Sequence, residues 1–296
     1  MKKTIIIQGK GSIGIRHALN LKDLGYQVIF LRKINNNNSY NSSYDFDETF
    51  SFKECLNFNP VGAIICTPSS LHPQDSIKFL KFDIPVYIEK PLGFKISKYR
   101  LSKLKSYSKK TIIHGGYHLR YSDEIIKFFK KIKKDKMIEI NFIWKTNAKK
   151  WHPWENYNNS YSTNYNLGGG VIHTCSHEID LSLSLFNNLK SMKLKYKINN
   201  KNKVVTKISA NFLSNETKIN INLDYFSLNA ERKIFVKTLN HNYMFDFDNY
   251  PNLQEKAYKE SLKDFLRSIK YGKKTISNYE NSFKTYRLCE DLLNEI

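Results

Sequence analysis

The sequence predicts an α/β plus α+β protein, with a doubly wound parallel sheet first and then an α/β domain built on an open, mostly antiparallel sheet. In residues 3–114, short apolar runs rich in β-branched residues alternate with segments of helical spacing, which is typical of βαβ units. From residue 137 onward, strands that alternate apolar and polar residues are separated by polar turns, which is typical of an antiparallel meander with one buried face. We therefore place the domains at 1–119 and 120–296, with the C-terminal helix able to pack back on the first domain.

The composition sets the broad class. A chain of 296 residues with 41% hydrophobic residues can form two cores, which excludes global disorder. No apolar run reaches the roughly 18 residues that a membrane span needs. The cysteines form no CxxC pair and no metal-ligand spacing, so we expect a cytoplasmic protein without a metal site. They are Cys55, Cys66, Cys175 and Cys289.

The formal net charge of +21 raises the question of nucleic-acid binding. The lysines are spread through the chain among many asparagines and isoleucines, which indicates a compositional bias. The two densest basic stretches, 95–110 and 127–136, have helical apolar spacing and would present solvated faces. We expect no nucleic-acid partner, but a positive field favours anionic small molecules such as nucleotide-linked substrates.

A glycine motif directly follows the first predicted strand, Lys3–Gln8, and precedes helical spacing over His17–Leu24. In this strand–turn–helix context GxGxxG is typical of dinucleotide binding, so we predict a Rossmann domain. The first glycine permits the turn, the second admits the pyrophosphate and the third lets the helix pack closely. Backbone N–H groups at the helix start face the phosphates. The motif comprises Gly9, Lys10, Gly11, Ser12, Ile13 and Gly14.

The second predicted strand, Tyr26–Leu31, runs into Arg32 and Lys33 without a carboxylate. NAD sites usually have Asp or Glu there to bind the ribose 2′-hydroxyl, whereas a cation suits the 2′-phosphate of NADP. We expect NAD or NADP as the coenzyme, with NADP favoured. The alternative is that Arg32 only stacks on the adenine.

Two further predicted strands end in polar residues at the same edge of the sheet, where ligands of such sheets bind. Val61–Cys66 is followed by residues that we expect at the coenzyme, namely Thr67, Pro68, Ser69 and His72. Val86–Ile88 is followed by Glu89-Lys90-Pro91. Proline restricts the backbone conformation of the residue before it, and the Lys90–Pro91 peptide bond can be cis. Lys90 is then fixed to stabilise a substrate oxygen, while Glu89 braces the coenzyme ribose or the lysine. The alternative is a plain turn.

A second glycine-rich segment, Gly168–Gly170, precedes His173, Thr174, His177 and Asp180. The spacing of four and three places both histidines and the aspartate on one helix face. Two imidazoles and a carboxylate behind a glycine bend are typical of a proton-transfer site. The alternative is a helix start whose polar residues face solvent.

The segment 151–165 combines aromatic side chains with amides and hydroxyls, among them Trp154 and Tyr165. Aromatic rings stack on sugar faces and the polar groups bind ring hydroxyls, so we interpret this segment as a substrate wall. The alternative is a loop that only shields the cleft. Aromatic residues on the other face of the second sheet suggest a subunit interface. These are Phe142, Phe212, Tyr225 and Phe226.

Taken together, these motifs resemble the glucose–fructose oxidoreductase / inositol dehydrogenase / MocA (Gfo/Idh/MocA) family from end to end. The matching segments are Gly9–His17, Thr67–Ser69, Glu89–Pro91, Gly116–Arg120 and Leu167–Asp180. The resemblance implies hydride transfer between NAD(P) and a carbohydrate-like alcohol or ketone. It also implies a homodimer or homotetramer. The sequence that follows each glycine motif is similar to that of family members associated with surface-polysaccharide sugar biosynthesis.

Carried over by position, Lys90 matches the family's motif lysine and His177 its acid/base histidine. Tyr117, Arg120 and Asp180 fall in matched motifs and are expected at the substrate. The family commonly has an aspartate three or four residues before the histidine, where this chain has Thr174 and His173; we expect His173 to relay the proton there. The resemblance leaves two functions open: a sugar oxidoreductase, or a coenzyme-binding sensor or scaffold that has lost its chemistry.

Overall fold

The computed structural model describes residues 2–33, 44–150 and 160–296. The chain forms two compact units. The first comprises Met1–Gly116 and Tyr258–Ser282, and the second comprises Tyr117–Ala257 and Phe283–Ile296. Along the part of the chain that is described, no helix has both the length and the apolar character that crossing a membrane requires.

The first unit contains a six-stranded sheet in which every pairing is parallel, as the sequence predicts. Its order is β3-β2-β1-β4-β5-β6. β1 is central and fully buried because its isoleucines are covered on both faces. The strands are β1 (Thr4–Gln8), β2 (Gln27–Leu31), β3 (Asp47–Thr49), β4 (Gly62–Ile65), β5 (Val86–Ile88) and β6 (Ile113–Gly115).

Four of the described helices lie between these strands along the chain, namely α1 (Ser12–Asp23), α2 (Phe52–Asn57), α3 (His72–Leu80) and α4 (Lys98–Tyr107). α1 begins five residues before the predicted start, because Gly11 is already its N-cap and the glycine motif forms its first turn. Side chains of Ala18 and Leu21 on α1 are buried in the core of this unit. The motif glycines therefore belong to the helix as much as to the turn.

The second unit contains a mixed sheet of order β12-β11-β7-β10-β9-β8. All pairings are antiparallel except that of β7 with β10, which confirms a mostly antiparallel sheet. A simple meander is wrong, because the first strand in sequence lies at the centre between the fourth and fifth. The strands are β7 (Met137–Asn147), β8 (Lys190–Ile198), β9 (Val205–Ser214), β10 (Thr217–Asp224), β11 (Phe226–Thr238) and β12 (Asn242–Asp246).

Helices cover one face of this sheet, and their apolar side chains share its core. Ile132, Ile179 and Leu292 are examples, from three different helices. The other α-helices in the described ranges are α5 (Asp123–Ile132), α6 (Val171–Thr174), α7 (Ser176–Leu185), α8 (Leu253–Tyr271) and α9 (Tyr279–Asn294). Most of α8 belongs to the first unit, where Leu262 and Phe265 join the core.

The prediction that four aromatic residues lie on an exposed face of the second sheet is wrong. Phe142, Phe212 and Tyr225 are buried in the core beneath the helices, and only Phe226 is exposed, at 37%. The opposite face carries a row of asparagines, because side chains alternate along a strand. Asn220 Nδ2 donates to Asn141 Oδ1 at 2.7 Å, and Asn211 donates to Asn220 in turn.

The substitution Phe142→Ala should lower the free energy of unfolding by about 3–5 kcal/mol, since it leaves a cavity in a fully buried site. Phe226→Ala is the matched control and should cost about 1 kcal/mol or less. The measurement is urea unfolding followed by tryptophan fluorescence, because Trp144 lies in the second unit. Equal losses for both variants would contradict the assignment of Phe142 to the core.

Candidate functional site

The glycine motif in the first unit has the geometry that its sequence predicts. Gly9 has φ +108°, and a Cβ there would lie 2.6 Å from the carbonyl oxygen of Cys66. A Cβ on Gly14 would collide with the carbonyl oxygen of Gly9. A Cβ on Gly11 would meet nothing within 4 Å. The turn is therefore tightly packed at Gly9 and Gly14 and open beside Gly11, just before the start of α1. A phosphate-binding turn requires this arrangement.

The segment after β4 lies at the same edge of the sheet. Thr67 Oγ1 donates to Asp75 at 3.0 Å, and Ser69 is buried beyond Pro68. The buried ring of His72 lies with Nε2 2.6 Å from Thr67 O and Nδ1 2.8 Å from Pro91 O. Burial lowers the pKa of His72 despite these two carbonyls. His72 therefore ties two loops of the edge together.

Glu89 and Lys90 follow β5, and the Lys90–Pro91 peptide bond is cis. The Glu89 side chain is buried and lies 2.7 Å from Nε2 of His17 on α1. Its second oxygen accepts the backbone N–H of Lys90 at 3.2 Å. Burial raises the pKa of Glu89, but the hydrogen bond and charge of His17, and then Lys90, lower it by more. The pKa therefore ends below its ordinary value. The ionised carboxylate thus holds the backbone at Lys90.

The end of β2 differs from its prediction, because a carboxylate is present there. Glu48 on β3 accepts a hydrogen bond from Arg32 Nη1 at 2.8 Å and another from Lys10. The sequence places Glu48 far from Arg32, and only the parallel pairing of β3 with β2 brings them together. Lys33 is exposed.

In the second unit, the helix expected to carry both histidines is broken. α6 ends at Thr174, Cys175 has φ −99° and ψ 25°, and α7 starts at Ser176. His173 and His177 therefore do not share one continuous helix face, which corrects the spacing argument. The bend before α6 needs glycine, since Gly170 has φ +103°.

His177 is buried among side chains from the segment after residue 116. Its ring centroid lies 4.4 Å from that of His118 and 5.9 Å from that of Tyr117, in edge-to-face arrangements. Burial raises the pKa of Tyr117 well above its usual value, so the hydroxyl stays neutral. Thr174 is half-buried at the end of α6. The site around His177 is therefore largely enclosed.

His173 faces α9. Its Nε2 lies 3.3 Å from Oε1 of Glu290, and the histidine is 1% exposed. Neither His173 nor Thr174 has a carboxylate side chain, but the carboxylate of Glu290 lies beside His173.

Arg120 and Asp180 bind each other. Arg120 donates to both carboxylate oxygens of Asp180, at 2.7 and 2.9 Å, and Thr285 Oγ1 donates at 2.8 Å. Asp180 is 1% exposed. A buried carboxylate with three donors is typical of a structural tie, and this geometry favours that role over the predicted substrate contact.

Of the other residues predicted at the substrate, Tyr165 is half-buried in a short 3₁₀ helix, Tyr165–Leu167. Trp154 lies outside the described residues. Within the described ranges, no group of three His, Cys, Asp or Glu side chains is arranged to hold a metal ion.

Several residues that contact the predicted ones are absent from the prediction, among them His17, His118, Glu48 and Glu290. His17 and His118 lie inside quoted motifs, so their histidine identity was a usable signal. Glu48 and Glu290 had none, because each comes from an element distant in sequence and carries no motif.

Neither the protein-family models nor the curated proteins contain a match to this sequence. Solved structures do match along nearly the whole chain. Myo-inositol 2-dehydrogenase from Lactobacillus plantarum superposes with a TM-score of 0.81 at 14% identity, covering 99% of this chain and 97% of that one. The fold is that of the Gfo/Idh/MocA dehydrogenases.

Two further solved structures are similar to this chain. UDP-N-acetylglucosamine 3-dehydrogenase GnnA from Acidithiobacillus ferrooxidans has a TM-score of 0.76 at 14% identity, covering 99% of this chain and 97% of that one. GenD2 from gentamicin A biosynthesis, in complex with NAD, has a TM-score of 0.80 at 10% identity, covering 98% and 92%.

Asp180→Ala should lower the free energy of unfolding by about 3–5 kcal/mol, because it leaves Arg120 buried without its partner. Thr285→Val removes one hydrogen bond and should cost about 1 kcal/mol. Urea unfolding followed by tryptophan fluorescence measures both. A loss for Asp180→Ala no larger than that for Thr285→Val would contradict the structural role.

Proposed function

We propose that the protein is an NAD(P)-dependent oxidoreductase that transfers a hydride between the coenzyme and a hydroxyl or keto carbon of a sugar or nucleotide sugar. The main support for the proposal is the arrangement at one edge of the first sheet. The glycine motif, the Thr67–Ser69 segment and Lys90 lie there, at the ends of β1, β4 and β5. Ligands of such sheets bind at this edge. The solved structures with this fold include sugar and nucleotide-sugar dehydrogenases.

The residues present fit a dinucleotide. The open space beside Gly11 and the start of α1 leave backbone N–H groups available to phosphates. Ser12 and Ile13 would hold the pyrophosphate, and Thr67–Ser69 would lie on the nicotinamide side. NAD(P) would supply the hydride acceptor for oxidation and the hydride donor for reduction.

Two side chains handle the substrate oxygen in this proposal. During oxidation His177 accepts the hydroxyl proton as the hydride leaves the carbon, and Lys90 stabilises the oxygen as its charge develops. Reduction runs in reverse, with His177 returning the proton. His173, with Glu290 beside it, is the candidate that relays the proton onward, in place of the aspartate that the family resemblance leads us to expect.

A second candidate function is a coenzyme-binding sensor or scaffold without turnover. It is favoured by His173 and Thr174 at the positions where the resemblance implies a carboxylate. The surface-polysaccharide pathway, the cytoplasmic location and a dimer or tetramer formed through the second sheet stay predictions. With the aromatics buried, such an interface would use the polar face that carries Asn141 and Asn220.

Lys90→Ala and His177→Ala should each lower the rate of hydride transfer by about 10²–10⁴-fold while NADH binding is retained. NADH absorbance over a panel of cyclitols and nucleotide sugars measures the rate, and NADH fluorescence measures binding. Lys98→Ala and His241→Ala remove exposed residues of the same types in the same units and should change neither.

Near wild-type turnover in both test variants would overturn the roles assigned to Lys90 and His177. NADH binding by the wild-type protein without turnover on any compound of the panel would favour the sensor or scaffold.

A further inference from the structure

The short strand β3 brings a carboxylate to the place where the sequence shows only cations. β3 pairs in parallel with β2, with Glu48 opposite Phe30 and Thr49 opposite Leu31. Arg32 follows β2 directly, and its backbone N–H donates to Thr49 O at 2.9 Å. Glu48 thus lies beside the end of β2, the position from which Rossmann domains recognise the adenosine ribose.

Glu48 also reaches the glycine motif. Its Oε1 accepts a hydrogen bond from Lys10 Nζ, and its Oε2 accepts one from Arg32 Nη1 at 2.8 Å. Lys10 lies between the first two glycines of the motif, so one carboxylate connects the phosphate-binding turn with the end of β2. All three side chains are 15–21% exposed, which leaves part of the cluster accessible to a ligand.

The two cations are held in place by aromatic rings as well as by Glu48. Lys10 Nζ lies 5.8 Å from the ring centroid of Phe30, and Arg32 lies 6.0 Å from that of Phe50. Burial raises the pKa of Glu48, but its hydrogen bonds to Lys10 and Arg32 lower it by more. The pKa therefore ends below its usual value. The carboxylate is therefore ionised at neutral pH, and both cations already have an anionic partner.

We propose that Glu48 sets the coenzyme preference, by accepting a hydrogen bond from the ribose 2′-hydroxyl of NAD and excluding the 2′-phosphate of NADP. This rests on the proposed function. A hydroxyl donates to an ionised carboxylate, which is a strong, charge-assisted hydrogen bond. A phosphate has only acceptors in its ionised form and would bring like charge against Glu48 while competing for Lys10 and Arg32.

The preference is therefore opposite to the one that Arg32 and Lys33 suggest in sequence. Arg32 is paired with Glu48, and its charge is balanced within the cluster. The net charge of +21 attracts both coenzymes and favours the more anionic one at long range. A preference for NAD over NADP must then come from a local group, and Glu48 is the acidic side chain that contacts both the motif and Arg32.

The test is the dissociation constant of NADH and of NADPH, measured by fluorescence titration on the full chain without any substrate. The wild-type protein should bind NADH at least about tenfold more tightly than NADPH, the value of one charge-assisted hydrogen bond. Glu48→Gln should weaken NADH binding by about tenfold and strengthen NADPH binding, so that the preference disappears or reverses. Asp47→Asn removes the same charge from the exposed neighbouring residue and should leave the ratio unchanged.

NADPH binding as tight as NADH binding in the wild-type protein would overturn the role of Glu48, and this comparison needs no variant. An unchanged ratio in Glu48→Gln, or the same change in Asp47→Asn, would overturn it too. In these outcomes a coenzyme still binds, and the proposed function survives. Failure of both coenzymes to bind the wild-type protein would overturn the proposed function and this inference together.

Discussion

The buried hydrogen bond between His17 and Glu89 is the interaction on which the first unit's candidate site depends. It joins the helix that starts in the glycine motif to the turn that carries Lys90, across a distance of 2.7 Å. His17 is 0% and Glu89 6% exposed, so loss of either partner would leave a buried polar group uncompensated. A Cβ on Gly116 would lie 2.9 Å from the Glu89 Cα, so the backbone of this turn is confined as well.

His72 makes a second connection along the same edge, between the carbonyls of Thr67 and Pro91. Together, these histidines link the segments after β1, β4 and β5 through side chains that are themselves buried. The segments would otherwise be separate loops, which are the most mobile parts of a domain. Their connection keeps Lys90 and the glycine motif in a fixed relation, as a coenzyme-binding edge requires.

In the second unit, a backbone bend and an ion pair fix the position of His177. Gly170 turns the chain into α6, and the break at Cys175 gives His177 a direction of its own. Asp180, one turn further on, is tied to Arg120 and Thr285. His177 is thereby held on a short helix that an ion pair fixes one turn further on, and the half-buried Thr174 ends the preceding helix.

The parts of the structure that the sequence predicts are those governed by local pattern. The parallel strands and the GxGxxG turn follow from β-branched runs and glycine spacing. The central position of β7, the break at Cys175 and the partner of Arg32 do not. A strand's neighbours are chosen by the whole sheet, Cys175 is neither glycine nor proline, and the three-residue β3 has too few apolar positions to show a period. The family resemblance places Asp180 at the substrate, whereas the partners that it has in the structure, Arg120 and Thr285, lie 60 and 105 residues away, where no local pattern shows them.

In the proposed function, the glycine motif and the Lys90 turn form one connected coenzyme-binding edge. Amide hydrogen exchange of the wild-type protein with and without NADH is the decisive measurement of that connection. We expect the amides of Lys10–Ile13 and those of Lys90 and Leu92 to exchange more slowly, together, when NADH binds. Protection of one segment without the other, at a saturating concentration of NADH, would contradict it.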